Sequence, residues 1–580
     1  MSQDGTERPT GTPQQEPGKQ SNEDSPTLAW RIRYLDPVTV VRRSGVRAPW
    51  PTTYVGDRIL VRGLLEDGKA DLSDLERVAA EHGWSLTVEP GDVADHALLR
   101  RADLGREVEA GLEPAFGFGV RIAPAAGAVA SPPDAWVLVE ALGGRSGAAG
   151  ATVGLDHVLV AGPGPSIGGA PYTQPHPYTQ PHPYTQPHPY TQPHPYTQPH
   201  PADGLAEYGS PGQGGRSPVT WLGPAPARRH ASGDTVSRTP KGLDRPVVAV
   251  LDTGTGTHPW LGDPVVVRDP HVLGVPIGPF PAQHGLRDSE TGGMAVDPLT
   301  GGLDPAAGHG TFIAGIVHQL CPDAVIMSCR LYGGEGIIAE WDLLRSLRRL
   351  LLFHVLGLHG RQGYYPVDVL NLSLGYYHER PEDAAFDGPF AHCLAALRRH
   401  GVAVVVSAGN DGDPRPLYPA AFAPALGPAA PPPVPLEPEI LLAGEPPVLT
   451  VGALNPDGST ALFSNDGAWV TCRRPGASVV STFPTSLDGS VTASRSLPGR
   501  VVGERRETID PDGFEGGFGV WSGTSFAAPV LAGELAAAKL SRRQDGLAAA
   551  SDGSWTQTLT SRCAETWEAI TTTTGLVPGP

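Results

Sequence analysis

Residues 247–254 read VVAVLDTG. Five apolar, mostly β-branched residues in succession, Val247 to Leu251, have the pattern of a parallel strand buried on both faces, because a strand with one wet face alternates and this one does not. The run stops at Asp252-Thr253-Gly254, and functional groups of open α/β sheets gather at the carboxyl ends of such strands. An acidic residue there is equally a common turn former, so the strand bears on fold class before it bears on function. Further apolar runs at Val402 to Val406 and Val448 to Gly452 repeat the signal and predict an α/β fold whose sheet is mostly parallel, with helices on both faces.

Two stretches add chemistry. Gly308-His309-Gly310-Thr311 leads into FIAGIVHQL, whose small and apolar residues predict a buried helix with His309 at its start, beside backbone that glycine lets partners approach. Ser522-Gly523-Thr524-Ser525 precedes an apolar helix running through Leu540. Ser525 then sits where free N–H groups and the helix dipole favour a developing negative charge. A capping serine with proline in the first turn is the structural alternative. After Val406 come Ser407, Ala408, Gly409 and Asn410, which put a side-chain amide at a strand end, unless they form an ordinary Asn-Asp-Gly turn.

Taken together, Asp252-Thr253-Gly254, His309-Gly310-Thr311, Asn371-Leu372-Ser373-Leu374-Gly375, Ala408-Gly409-Asn410 and Gly523-Thr524-Ser525 with Ala527 and Pro529 resemble the subtilisin-like serine proteases, the subtilases, in the family's order along the chain. The resemblance covers about 245 to 540 and implies a serine endopeptidase working through an acyl-enzyme. It implies that Ser525 is the nucleophile, His309 the general base and Asp252 the group that holds the imidazole. Asn410 would supply an oxyanion donor, and Ser373, Leu374, Gly375, Ala408 and Gly409 would line the substrate cleft. The chemistry so implied needs no cofactor. The family often carries structural calcium, for which no site is identified. Long segments between Asp252 and His309, after Tyr418-Pro419-Ala420 and over about 484 to 518 depart from the family pattern and are expected to flank the cleft and narrow it.

Upstream, residues 50–162 alternate element types. Strands are predicted over Tyr54 to Arg62, Trp84 to Val88, Phe118 to Ile122 and Leu155 to Ala161, with helices over Leu72 to Glu81 and Ala135 to Leu142. That order is β-α-β-β-α-β, a small α+β ferredoxin-like domain. Ahead of a subtilase it resembles the family's propeptide, which implies an intramolecular inhibitor and a self-inhibited zymogen; a permanently attached accessory domain is the alternative. Residues 1–49 are expected to be a poorly ordered tail, 163–244 a proline-rich linker, 245–540 the catalytic domain and 541–580 a C-terminal tail. The linker holds PYTQPH five times between Pro171 and His200. Proline at two of every six positions favours an extended spacer, in which successive histidines lie roughly 19 Å apart, too far to share an ion.

Composition sets the outer bounds. The 580 residues allow several domains, although glycine (74) and proline (63) make up nearly a quarter of the chain, a level that points to linkers as well as packed structure. A net charge of −18 disfavours a nucleic acid partner. No apolar run is long enough for a membrane span and the first twenty residues lack a signal-peptide core, so no membrane partner and a cytoplasmic location are expected. The five cysteines show neither metal-site nor disulfide-framework spacing. The reading competing with a protease is a catalytically silent scaffold of the same fold that binds partners through its proline-rich segments.

Overall fold

A computed structural model describes residues 31–42, 47–65, 72–142, 153–161, 215–220, 222–229, 245–280, 285–296, 298–380, 388–427, 434–545 and 554–579. The PYTQPH tract and most of the expected linker lie outside the described residues.

The N-terminal domain runs β1 (Ile32–Leu35), β2 (Thr52–Arg62), α1 (Ser73–Glu81), β3 (Trp84–Val88), α2 (Pro90–Ala102), α3 (Arg106–Leu112), β4 (Gly117–Pro124), α4 (Ala135–Leu142) and β5 (Val153–Ala161). Its strands lie in the order β5-β2-β4-β3, every neighbour antiparallel, as a ferredoxin-like chain order requires. One face of the sheet buries Ile59, Val61, Phe118, Val120 and Ile122 against Leu75 and Val78 of α1 and Leu138 of α4.

Two features of this region differ from the sequence reading. The stretch 1–49, expected as a tail, contains β1, which pairs antiparallel with β2. The segment between Val88 and Gly117 holds two helices for which the hydrophobic period gave no sign. The reason is that α2 buries acids: Asp92 and Asp95 are ion-paired with Arg348 at 3.2 Å, and with Arg345 at 2.7 Å and Arg349 at 2.8 Å, respectively. These acids share the buried face of α2 with Leu98, Leu99 and Ala102, and an apolar stripe interrupted by charge reads as a wet face.

The C-terminal domain comprises β6 (Ser217–Pro218), β7 (Val247–Asp252), β8 (Val266–Arg268), α5 (His309–Leu320), β9 (Val325–Arg330), β10 (Ile337–Ala339), α6 (Glu340–Leu358), β11 (Val369–Leu372), β12 (Leu374–Tyr377), α7 (Gly388–Arg399), β13 (Ala403–Ser407), β14 (Val448–Leu454), β15 (Cys472–Pro475), β16 (Phe518–Trp521), α8 (Thr524–Gln544) and α9 (Trp555–Thr574), besides shorter pieces. Seven strands form a parallel sheet in the order β15-β14-β13-β11-β7-β9-β8. Both faces are covered: Val247, Ala249 and Leu251 share a core with α6 and α7, while Val248 and Val250 pack with α5 and α8. The unbroken apolar run of β7 is the direct result.

The stretch 541–580, also expected as a tail, contains α9. Trp567 and Ile570 join the core beside α8, and Arg562 and Glu565 enter a buried network with Arg543 and Asp368, in which Arg543 lies 2.9 Å from Glu565 and Arg562 lies 3.2 Å from Asp368. Among the described residues no helix is long and apolar enough to cross a membrane.

Candidate active site

Asp252 ends β7 and His309 opens α5. The chain enters that helix through Gly308 at φ 79, in the left-handed region that suits glycine. A Cβ on Gly310 would lie 2.1 Å from the Gly254 carbonyl, so only glycine permits the approach of α5 to the end of β7. The result is a hydrogen bond of 2.8 Å between His309 Nδ1 and Asp252 Oδ1, both side chains being buried. Asp252 also accepts from its neighbour Thr253 N at 2.8 Å and, through Oδ2, from Tyr332 Oη at 2.6 Å. Burial and the adjacent Asp252 hold the Tyr332 phenol well above its ordinary pKa, so it stays a donor. With Nδ1–H given to Asp252, the lone pair of the neutral imidazole is left on Nε2. That atom is buried and has no hydrogen-bond partner among the described residues. Trp521 and Phe526 flank the ring at centroid distances of 5.6 and 5.3 Å.

Ser525 stands in the first turn of α8. Asn410 follows β13, and its Oδ1 accepts from Thr524 N at 2.8 Å and Thr524 Oγ1 at 2.9 Å. A side-chain amide held by its oxygen presents its N–H groups on the other side. Thr524 Oγ1 also accepts from Gly409 N at 3.1 Å, and Ser373 Oγ donates to the Ser525 carbonyl at 3.0 Å. Ser373, Leu374, Gly375, Gly409, Asn410 and Ser525 line one cavity. Ala408, expected with them, instead lies fully buried in the core, its N–H donating to Val451 O at 3.0 Å. Ala408 follows β13 directly, and its side chain packs in the same core as Val404 and Val406.

A strand of the N-terminal domain lies against this cavity. β5 of the N-terminal domain runs antiparallel between two edges of the larger domain: Ile337, Ile338 and Ala339 of β10 face Val160, Leu159 and Val158, while Leu374 and Gly375 of β12 face Ala161 and Val160. Val158 and Val160 line the same cavity as Ser525.

Just upstream, His157 is 2% exposed and contacts two acids of the larger domain, Glu340 Oε2 at 2.7 Å from Nδ1 and Glu379 Oε2 at 2.8 Å from Nε2. Burial alone would lower its pKa, but Glu379 and Glu340 together hold it well above the usual histidine range. Glu379 is pulled down to about 2 despite its own burial, by His378 and His157. Sequence reading singled out none of Thr524, Tyr332, His157, Glu340 or Glu379. Thr524 lies inside a quoted motif, whereas the other four have no local signature and acquire a role through contacts far apart in the chain.

The structural calcium implied by resemblance gains no assigned site. Asp488, Asp510 and Asp512 bring carboxylate oxygens within 4.8 Å of one another, a donor set suited to calcium, but partly exposed acidic clusters of this kind are common without an ion.

Residues 244–566 match the family model of the subtilase family. Subtilisin BL of Lederbergia lenta is 26% identical over 265 residues, 44% of this chain and 73% of that protein. The membrane-bound transcription factor site-1 protease of Homo sapiens is 27% identical over 239 residues, 40% of this chain but 17% of its own length. Among solved structures, that of a cold adapted subtilisin-like serine proteinase covers 55% of this chain and 80% of its own, with 19% identity and a TM-score of 0.28.

Proposed function

The chain belongs to the subtilase family and is a subtilisin-like serine endopeptidase; from that premise we propose that Asp252, His309 and Ser525 are its catalytic triad and Asn410 its oxyanion donor. The observation that carries the assignment is the 2.8 Å bond from His309 Nδ1 to Asp252, which leaves Nε2 as the uncommitted base on a ring packed 5.3 Å from that of Phe526, the residue after Ser525. A peptide binds as an extended strand along Leu374 and Gly375. Ser525 Oγ attacks its scissile carbonyl carbon while Nε2 takes the hydroxyl proton, and Asp252 stabilises the imidazolium. The carbonyl oxygen, now an anion, is held by the Asn410 Nδ2–H and the Ser525 backbone N–H. Collapse breaks the C–N bond, the imidazolium returns its proton to the leaving amine, and water attacks the acyl-enzyme by the same route in reverse. No cofactor enters any step.

A fluorophosphonate probe tests the reading directly. It is expected to label the chain on Ser525 and to leave Ser525→Ala unlabelled. Absence of labelling at every stage of processing would favour the silent scaffold.

The N-terminal domain is read as an intramolecular inhibitor, because β5 occupies the strand position that a polypeptide substrate would take between β10 and β12. Removal within the 163–244 linker would convert this zymogen to the active form. Identical fragment patterns from Ser525→Ala and unaltered protein on a gel count against self-processing and for an accessory domain.

A further inference from the structure

Behind the Asp252–His309 pair lies a second buried acid that the reaction as written does not use. Glu290 is 1% exposed and belongs to the long segment between Asp252 and His309. Its two carboxyl oxygens are each bonded to a threonine hydroxyl: Oε1 to Thr253, the neighbour of Asp252, and Oε2 to Thr311, two residues past His309. Each hydroxyl oxygen accepts once from the backbone, Thr311 Oγ1 from Gly256 N and Thr253 Oγ1 from Gly310 N, each at 2.8 Å, and keeps a second lone pair. For the Thr311 proton, Glu290 is the acceptor within reach among the described residues. Thr253 has a choice, because its Oγ1 also lies 3.2 Å from Asp252 Oδ1, and a hydroxyl has one proton to give.

We propose that Glu290 is a positioning residue for the Asp252–His309 pair, acting through the single hydroxyl proton of Thr253. When Glu290 is ionised, that proton points to Glu290 Oε1, and Asp252 keeps three donors: Thr253 N, His309 Nδ1 and Tyr332 Oη. When Glu290 is protonated on Oε1, it donates to Thr253 Oγ1, whose own proton swings to Asp252 as a fourth donor. A carboxylate with more donors holds its other partners less strongly. The ionised acid thus strengthens the hold on the imidazolium, by leaving Asp252 less satisfied and by adding a negative charge nearby. No bond to carbon changes and no proton leaves the cluster except the one that titrates.

The other charged or titratable groups facing Glu290 are Asp252, Arg330, Arg268 and the Tyr332 phenol. Arg330 is itself shared with Asp288, 3.3 Å away, and with Ser289. Burial pushes the Glu290 carboxyl up to about 7, against the opposing pull of the two hydroxyls and Arg330. Both arrangements of Thr253 are therefore reached near neutral pH.

The proposal rests on the triad reading, and its test separates the two. The rate of fluorophosphonate labelling is followed on the full chain from about pH 5 to 9, where its acid limb reports loss of the His309 proton. In Glu290→Gln the amide donates to Thr253 permanently, so the acid limb is expected to move to lower pH by roughly half a unit to one unit, the low end of what one nearby charge does. In Glu290→Asp, which keeps the charge, the limb stays near its original position. A uniformly slower Glu290→Gln with an unmoved limb means that Glu290 is structural only, and overturns the proposal. No labelling of Ser525 in the unaltered chain at any pH overturns the triad reading instead. Should Glu290→Gln fail to fold, ¹³C-histidine spectra of Ser525→Ala decide, with the His309 resonance assigned by its loss on His309→Gln. Two titration steps are expected, and a single step overturns the proposal.

Discussion

Two buried histidines, His309 at the start of α5 and His157 on β5 of the N-terminal domain, differ in how many of their nitrogens are spoken for. His309 gives Nδ1 to one carboxylate and keeps Nε2 without a partner. His157 has a carboxylate on each nitrogen. A base must have a lone pair to lend, so only the first arrangement suits proton transfer. The second suits a cation held between two acids, and ties β5 to the larger domain. Burial and a neighbouring acid are common to both, so neither property by itself marks a catalytic histidine.

The largest effect should come from breaking the His309 side. His309→Ala or Ser525→Ala is expected to lower kcat by about 10⁶-fold, the order known for subtilisin, a relative of this chain, when its own triad residues are removed. Steady-state cleavage of an unstructured protein checks it, and a loss of under a hundredfold would break the assignment. Asn410→Ala should cost about 10²- to 10³-fold in kcat with little change in KM, again a magnitude established on subtilisin.

The His157 side should yield to pH. Its folded pKa is raised, so the stabilisation it gives is fully present below its ordinary value near 6.5 and is lost as pH climbs through the higher folded value. Of the groups around it, Glu340, Glu379, His378 and the stacked Tyr376, His378 lies 3.6 Å from Glu379, whereas His157 contacts both acids. In inactive Ser525→Ala protein, the protection of β5 amides, taken relative to their intrinsic exchange rates, should therefore fall between neutral and strongly alkaline pH. His157→Gln should remove much of that pH dependence while loosening β5 at neutral pH, by about 3 kcal/mol if broken buried pairs elsewhere are a guide. Unchanged β5 protection in His157→Gln would show the clamp to be dispensable. The smallest effect is expected for Thr524→Val, which leaves the Asn410 amide partly unpinned and should lower kcat by about tenfold, less than loss of the donor itself.

How far these features could be read in advance varies with the kind of group that is buried. The strand Val247 to Leu251 and the helix Ala135 to Leu142 bury apolar residues, so their periodicity announced them, and the glycines around Asp252, His309 and Ser525 marked the turns on which the chemistry sits. Helices α2 and α9 dock with Asp92, Asp95, Arg562 and Glu565 buried. Charged residues ordinarily mark a wet face, and the partners that reverse this meaning are more than two hundred residues away for α2 and mostly on another helix for α9. Ala408 differs in the other direction: the motif placed it at the cleft, while its side chain packs into the core just past the end of β13.

By itself the sequence determined the α/β sheet, the ferredoxin-like order of the first domain, the family, and the four residues proposed for the chemistry, because each of these is written in local pattern or in motifs of a few residues. Tertiary structure alone decided that β5 pairs between β10 and β12, that His157 is clamped between Glu340 and Glu379, and that Glu290 and Tyr332 stand behind Asp252. Those are contacts between distant segments, set by how strands register and helices pack, and hydrogen bonds and ion pairs of that range leave no periodic trace along the chain.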